Sequence, residues 1–158
     1  MHYRLFRPDD FPQLYAIEEI CFQPPLRFPR RYMRHIIESP ASATWIAEEE
    51  DTLTGFAIVE WSGDPPRRQA YIQTLEVTPA HRRRGIASEL LRRLETSAQQ
   101  AGAREIWLHV DTENDSALRL YRAHGYQQQG RAEHYYARHR PADIYAKPLA
   151  PATPQHFT

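Results

Sequence analysis

A predicted strand–helix–strand segment over residues 71–110 constrains the fold of this chain more than any other feature. Its helix, over residues 85–101, carries one apolar stripe, and Gly102 follows it as a stop signal. The flanking residues 71–77 and 105–110 are apolar and typical of strands. Because a strand, a helix and a second strand connect with right-handed, parallel geometry, the sequence predicts two parallel strands here.

The rest of the chain predicts antiparallel neighbours for this unit. Residues 44–49 and 53–61 have the pattern of a hairpin across an acidic turn. The other predicted elements are a strand over residues 3–7, a helix from residues 8–10 with apolar positions up to Ile20, a proline-rich loop over 22–29, a weaker helix over 30–38, a short helix over 116–124 and strand-like sequence over 126–147. We expect the α/β class, with a mixed, mostly antiparallel twisted sheet and helices on both faces. A single domain is expected over residues 1–149, followed by a flexible tail over 150–158.

The loop before the long helix carries an unusual charge pattern, Arg82-Arg83-Arg84-Gly85-Ile86-Ala87. A helix N-terminus already carries about half a positive charge from its dipole, so three arginines beside it are repulsive unless an anion binds there. Gly85 lets the backbone approach such an anion, and the free amides of the first turn can donate hydrogen bonds to it. The pattern predicts a phosphate or pyrophosphate site, with a solvated charge cluster as the alternative.

The composition argues against several classes of partner. Lys+Arg and Asp+Glu balance at 20 each, so net charge does not draw the 158-residue chain to nucleic acid or membranes. The sequence has no membrane-spanning run and no signal-peptide pattern, and its eight histidines lack metal-ligand spacing. The single cysteine, Cys21, excludes an internal disulfide and is typical of a reducing compartment. We expect a cytoplasmic monomer or homodimer without nucleic-acid, membrane or metal partners.

Two motifs resemble the signatures of the GNAT superfamily of acetyl-CoA-dependent N-acetyltransferases. Residues 82–87 resemble its phosphate loop, Q/R-x-x-G-x-G/A, with Ala87 where glycine is commoner. Residues 114–126 resemble its second signature, N-x-x-A-x-x-x-Y-x-x-x-G-F/Y. The motifs stand in the family's order and separation, and the resemblance covers most of residues 71–149.

The resemblance implies acetyl-CoA as the cofactor and a central pair of parallel strands that splay apart. It places the pyrophosphate at the amides of residues 85–88 and the pantetheine arm along exposed strand backbone, much as an added strand would lie. It also implies that the Val77 amide stabilises the oxyanion and that Tyr121 protonates the coenzyme A thiolate. The implied cofactor-binding residues are Leu75, Val77, Arg82, Arg83, Arg84, Gly85, Ile86, Ala87, Ser88, Asn114 and Tyr121.

Within the superfamily, the chain resembles protein N-terminal acetyltransferases of the eukaryotic NatE type more closely. This resemblance is carried by residues 70–75, 106–110, 114–121, 133–136 and 140–143. In that type, residues matching Tyr71 and His109 act on the incoming amine through an ordered water. The related bacterial ribosomal-protein alanine acetyltransferases carry a glutamate in place of His109. The implied substrate-binding residues are Phe22, Pro24, Pro25, Tyr135 and Tyr136, but residues 23–26 depart from the NatE pattern and leave side-chain specificity open.

The chemistry of acetyl transfer favours an α-amino acceptor. An α-amino group with a pKa near 8 costs about 1 kcal/mol to hold neutral at pH 7, whereas a lysine near 10.4 costs about 4.6 kcal/mol. His109 has a suitable intrinsic pKa for a base, and Tyr71 can position the intervening water. The leading interpretation is acetylation of a protein or peptide N-terminus by direct attack in a ternary complex.

Alternatives stay open for the function and for the individual residues. The acceptor could be a small-molecule amine such as a polyamine, an amino acid or an aminoglycoside-like compound. The chain could instead be a non-catalytic acyl-CoA-binding module, or it could bind nucleic acid through its arginines, although its neutral charge disfavours this. His109 could be a hydrogen-bonded core residue, and Tyr71, Tyr121, Tyr135 and Tyr136 could serve only packing.

Overall fold

Residues 1–152, which this computed structural model describes, form seven β-strands and four α-helices. The strands are β1 (His2–Leu5), β2 (Ser42–Glu49), β3 (Thr52–Ser62), β4 (Gln69–Val77), β5 (Glu105–Asp111), β6 (Gln127–Ala137) and β7 (Arg140–Pro148). The helices are α1 (Phe11–Cys21), α2 (Arg30–Glu38), α3 (Ile86–Gln100) and α4 (Asp115–Ala123). The predicted tail, from residue 153 onwards, lies outside the described residues.

All strands belong to one mixed sheet with the order β1-β2-β3-β4-β5-β7-β6. Every pairing is antiparallel except that of β4 with β5, which is parallel. The parallel pairing is short, because only Gln69–Tyr71 of β4 meets Glu105–Trp107 of β5. Beyond Tyr71 the two strands separate and leave a cleft. The predicted mixed sheet and its splayed central strands are confirmed.

Helices cover both faces of the sheet, as predicted. The apolar stripe of α3, including Leu90, Leu91 and Leu94, packs in a core cluster that also contains Leu118 and Tyr121 of α4. The second core cluster, on the other face, joins α1 and α2 to β2 and β3. The first cluster includes residues of both β4 and β5, the two strands that border the cleft.

The structure corrects the expected inner face of α1. Ile20, predicted on the apolar stripe, is 59% exposed, whereas Glu18 is only 1% exposed. The buried positions Phe11, Leu14 and Tyr15 continue to residue 18 at the spacing of a helix face, and residue 20 lies well off that face. A carboxyl group therefore occupies a core position.

Smaller differences concern the boundaries of elements. The first strand covers His2–Leu5 instead of residues 3–7, and residues 126–147 form two antiparallel strands. None of the helices within residues 1–152 is long and apolar enough to cross a membrane.

Candidate active site

A cavity of about 320 Å³ lies where β4 and β5 separate. Its wall comprises β4 and β5, the start of α4, the end of β6 and the segment between α1 and α2, which we call the α1–α2 loop (residues 22–29). Of the residues predicted for the site, the wall contains Phe22, Pro25, Tyr71, Leu75, His109, Asn114, Tyr121, Tyr135 and Tyr136. Pro24, Val77 and the arginine loop do not line this cavity.

The arginine loop ends in a helix N-terminus with free donors. Gly85 is the N-cap of α3 in a left-handed conformation (φ 81°), and no side chain in the described part of the chain caps the helix. The first backbone bond of the helix runs from the Glu89 amide to the Gly85 carbonyl at 3.1 Å, so the amides of residues 86–88 have no intrahelical partner. A Cβ added at Gly85 would meet no atom of residues 1–152 within 4 Å, so the space beside this N-cap residue is open. This end of α3 fits a phosphate or pyrophosphate group.

The three arginines differ in what they contact. Arg84 forms an ion pair with Glu49 of β2 at 3.0 Å, and the Arg82 Nε donates to the Val77 carbonyl at 3.0 Å. The Arg83 side chain is exposed and has no hydrogen-bond or ion-pair partner within residues 1–152. Its backbone is also left-handed (φ 64°), a conformation that costs a non-glycine residue about 1 kcal/mol. Arg83 is therefore the member of the run with a guanidinium free for an anion.

The backbone of β4 presents unpaired groups towards the cleft. The Thr78 amide donates to the Thr54 carbonyl at 2.9 Å, so Val77, opposite Gly55, occupies a non-hydrogen-bonded position of the β3–β4 ladder. Leu75, two residues earlier and opposite Ala57, occupies the next such position. The amides of both residues thus face away from β3, towards the side where β5 has separated.

Tyr71 and His109 meet across the splayed strands. The Tyr71 hydroxyl lies 2.8 Å from His109 Nδ1 and 3.3 Å from the Tyr135 hydroxyl. The rings of His109 and Tyr135 stack at a centroid distance of 4.0 Å. Burial lowers the pKa of His109, which favours the neutral imidazole. Burial, followed by the hydrogen bond with Tyr135, raises the pKa of Tyr71, so this hydroxyl stays protonated.

Tyr121 projects from α4 into the same cavity. Its side chain is 5% exposed and packs edge-on against Tyr126 at 5.4 Å. Burial raises the pKa of Tyr121 above its ordinary value, and its hydroxyl has no hydrogen-bond partner within the described part of the chain. Asn114 accepts a hydrogen bond from the Ala117 amide at 3.2 Å and so caps α4, which gives this motif residue a structural role.

The α1–α2 loop and the end of β6 close the cavity on opposite sides. Tyr135 is 45% exposed at the mouth, and burial raises the pKa of Tyr136 deeper in the wall. Wall residues that sequence reasoning missed include Glu18 and Gln73. Gln73 could have been predicted from the sequence, because it lies two residues from Tyr71 and therefore on the same face of the strand. No group of three or more His, Cys, Asp or Glu side chains within residues 1–152 could hold a metal ion.

Comparisons with known proteins agree with this geometry. Residues 11–126 match the acetyltransferase (GNAT) family. N-alpha-acetyltransferase RimI of Mycobacterium tuberculosis is 36% identical over 122 residues, which are 77% of this chain and 72% of that protein. The structure of the Escherichia coli ribosomal-protein-S18-alanine N-acetyltransferase superposes with a TM-score of 0.82 at 21% identity, covering 99% of both chains. Arabidopsis thaliana NAA60 in complex with acetyl-CoA gives a TM-score of 0.82 at 22% identity, covering 94% of this chain and 98% of that one.

The family match, the identity to the mycobacterial enzyme and the open α3 N-terminus beside splayed central strands all agree. The chain belongs to the GNAT family and is an N-acetyltransferase that uses acetyl-CoA as its co-substrate.

Proposed function

We propose that this enzyme transfers the acetyl group of acetyl-CoA to the α-amino group of a protein or peptide N-terminus, by direct attack in a ternary complex. The observation that carries the proposal is the Tyr71–His109 contact at 2.8 Å in the cavity wall, beside the open backbone of β4. The mycobacterial relative is named as an N-alpha-acetyltransferase, which supports the same acceptor class.

His109 is the proposed base for the incoming amine. When Nδ1–H donates to the Tyr71 oxygen and the Tyr71 hydroxyl donates to Tyr135, His109 Nε2 keeps a lone pair. No hydrogen bond within residues 1–152 occupies this nitrogen. An α-amino group has a pKa near 8, so a neutral imidazole acting through a water is basic enough to take its proton. Tyr71 fixes the tautomer and the orientation of the ring.

Residues on the other side of the cleft are proposed to handle acetyl-CoA. The amides of residues 86–88 and the free Arg83 guanidinium would hold the pyrophosphate, and Arg82 would define the turn that presents it. The amides of Leu75 and Val77 face the cleft, where they would pair with the pantetheine arm and stabilise the oxyanion. Tyr121 would protonate the departing thiolate, because burial keeps its hydroxyl protonated and no group within residues 1–152 forms a hydrogen bond with it.

The remaining wall would receive the first residues of the acceptor. Phe22 and Pro25 lie on one side of the cavity and Tyr135 and Tyr136 on the other, so an extended N-terminus could pass between them. Pro24, outside the wall, would act only by stiffening the α1–α2 loop. An aromatic and aliphatic wall of this kind suits a small or apolar first side chain.

The proposal includes a single catalytic domain over residues 1–149. Leu149 is buried, and its amide donates to the Arg104 carbonyl at 2.9 Å, so the sheet contacts continue to that residue. A cytoplasmic location belongs to the same proposal, because a single cysteine gives the chain no internal disulfide.

Incubation with acetyl-CoA and a peptide panel varied at the first two residues tests the acceptor class. Mass spectrometry should locate the acetyl group on the α-amino nitrogen and not on lysine side chains. Calorimetry with acetyl-CoA alone provides the control for cofactor binding. Turnover of polyamines or amino acids without peptide acetylation would contradict the proposal, and cofactor binding without any product would indicate a non-catalytic module.

A further inference from the structure

Two carboxyl groups lie buried against each other beside the cavity. Glu18 of α1 is 1% exposed and Glu76 of β4 is 3% exposed. After burial, the neighbouring Glu18 side chain is the next cause that raises the pKa of Glu76, so the two carboxyl groups lie close to each other between the helix layer and the central strand. Neither residue has an assigned role in the transfer reaction.

One oxygen of each carboxyl has a conventional donor. Glu18 Oε2 accepts from the Phe28 amide at 3.1 Å, and Glu76 Oε2 accepts from the Thr74 hydroxyl at 2.6 Å. Glu18 Oε1 and Glu76 Oε1 are shielded from solvent, and neither has a hydrogen-bond donor within residues 1–152. These two oxygens are the atoms left for the contact between the carboxyl groups. Two acceptors can form a hydrogen bond only when one of them carries a proton.

The surroundings do not neutralise a pair of negative charges. Within residues 1–152, Thr74 donates to Glu76, Arg27 and Cys21 lie near the pair, and Arg82 lies beside Cys21. Arg27 donates to the carbonyls of Phe22 and Glu19, and Arg82 donates to the Val77 carbonyl, so neither guanidinium bridges the acids. Like charges in a buried site cannot both ionise without a large cost, so the arrangement favours one bound proton.

We propose that Glu18 and Glu76 share one proton between their Oε1 atoms, and that this bridge positions the α1–α2 loop as a wall of the acceptor site. The loop is held at Phe28, whose amide donates to Glu18 while its carbonyl accepts from the Tyr15 hydroxyl at 2.7 Å. Phe22, Pro25 and Phe28 of this loop line the cavity, so a shift of Glu18 moves the wall.

Loss of the shared proton would place two negative charges in contact, and the α1–α2 loop would no longer be held in place as a wall of the cavity. The inference rests on the proposed function in one respect, namely that the cavity receives the acceptor. The amides proposed to bind acetyl-CoA belong to the backbone of β4 and α3, whereas the bridge holds the α1–α2 loop, so loss of the bridge should raise the KM of the acceptor more than the KM of acetyl-CoA. Glu18 and Glu76 are positioning residues in this scheme and touch no reacting atom.

Glu76→Gln is the central test variant. The glutamine carbonyl can accept from Thr74 and its amide can donate to Glu18 Oε1, so the bridge survives without a titrating proton. Glu18→Gln is a second variant, in which the new amide can donate to Glu76 Oε1 and the bridge again survives without a titrating proton. Glu19→Gln is the matched control, because it removes one charge from the neighbouring, exposed position of α1.

The first readout is infrared spectroscopy of the carboxyl region at neutral pH. The wild type should show the C=O band of a protonated carboxyl, which Glu76→Gln should lack and Glu19→Gln should keep. This measurement needs no acceptor, so it remains decisive for the bridge even if the proposed acceptor class is wrong. Absence of the band in the wild type would overturn the proposal.

The second readout is the pH dependence of the acceptor KM, expressed as the ratio of wild type to Glu76→Gln. Titration of the amine and of His109 is common to both proteins and cancels in this ratio. The ratio should rise about tenfold per pH unit once the pair loses its proton. The rates of amide hydrogen exchange of residues 22–28 should diverge between the two proteins over the same pH range. This measurement reports on the α1–α2 loop without any acceptor. A flat ratio with unchanged exchange would refute the positioning role, as would equal behaviour of Glu19→Gln and Glu76→Gln.

Discussion

Tyr121 and Tyr126 form a pair of buried tyrosines for which the structure predicts opposite consequences of the same substitution. Their rings pack edge-on at 5.4 Å, and both are at most 5% exposed. The Tyr121 hydroxyl has no partner within the described residues, whereas the Tyr126 hydroxyl donates to Glu95 at 2.8 Å. Replacing tyrosine by phenylalanine removes only the hydroxyl and keeps the ring contact.

Tyr121→Phe should therefore change the free energy of unfolding by less than about 0.5 kcal/mol, because no hydrogen bond among the described residues is lost. If Tyr121 is the general acid, kcat should fall about 10²- to 10⁴-fold. That factor corresponds to roughly 3–5 kcal/mol of transition-state stabilisation.

Tyr126→Phe serves as the matched control. It loses a hydrogen bond to a charged carboxylate, worth about 1.5–3 kcal/mol. The melting temperature should fall by roughly 3–12 °C at about 2–4 °C per kcal/mol, while kcat stays unchanged. Lys147 still pairs with Glu95 at 3.1 Å and limits the loss.

Thermal unfolding followed by circular dichroism and steady-state kinetics at saturating acetyl-CoA measure the two quantities separately. Wild-type kcat in Tyr121→Phe would refute the assignment of Tyr121 as the acid. A loss of stability in Tyr121→Phe equal to that in Tyr126→Phe would show that its hydroxyl has a structural partner.

Further predictions concern three other parts of the molecule. His109→Ala should lower kcat/KM about 10²- to 10⁴-fold with unchanged acetyl-CoA binding by calorimetry. Burial lowers the pKa of His109, so the rise of wild-type kcat/KM that accompanies its deprotonation should lie below pH 6.5. A further rise should extend up to the pKa of the amine, near 8. Gly55→Ala should cost about 1–3 kcal/mol in urea unfolding, since the new Cβ would lie 2.7 Å from the Glu76 carbonyl oxygen; wild-type stability would show that the sheet relaxes there. Burial raises the pKa of Glu76 and of Glu18 in the folded state, so the folded protein binds more protons than the unfolded chain. The free energy of unfolding should therefore fall as pH rises above about 4.5, by about 1.4 kcal/mol per pH unit for one proton. Glu76→Gln should flatten this slope in denaturant titrations at several pH values, and an equal slope in both proteins would contradict the shared proton.

Local sequence patterns were sufficient for those parts of the fold that depend on neighbouring residues. The stripe of α3, the left-handed Gly85 before it and Gly102 after it follow from helix periodicity and backbone sterics over a few residues. The strand–helix–strand order likewise implied the parallel pair, because handedness leaves one arrangement. The motif residues Tyr71, His109 and Tyr121 were predicted through family resemblance, and the structure brings all three to one cavity.

The tertiary structure alone decided which side chains meet across long separations in the chain. The Tyr71–His109 contact joins residues 38 apart, and the Arg84–Glu49 ion pair, which leaves Arg83 as the free guanidinium, joins residues 35 apart. Both depend on strand order and register, which no local pattern specifies. The burial of Glu18 in place of Ile20 depends on how α1 is rotated against the sheet. A helix can be predicted from its own residues, but its orientation is set by the free energy of packing against partners that lie far away in the sequence.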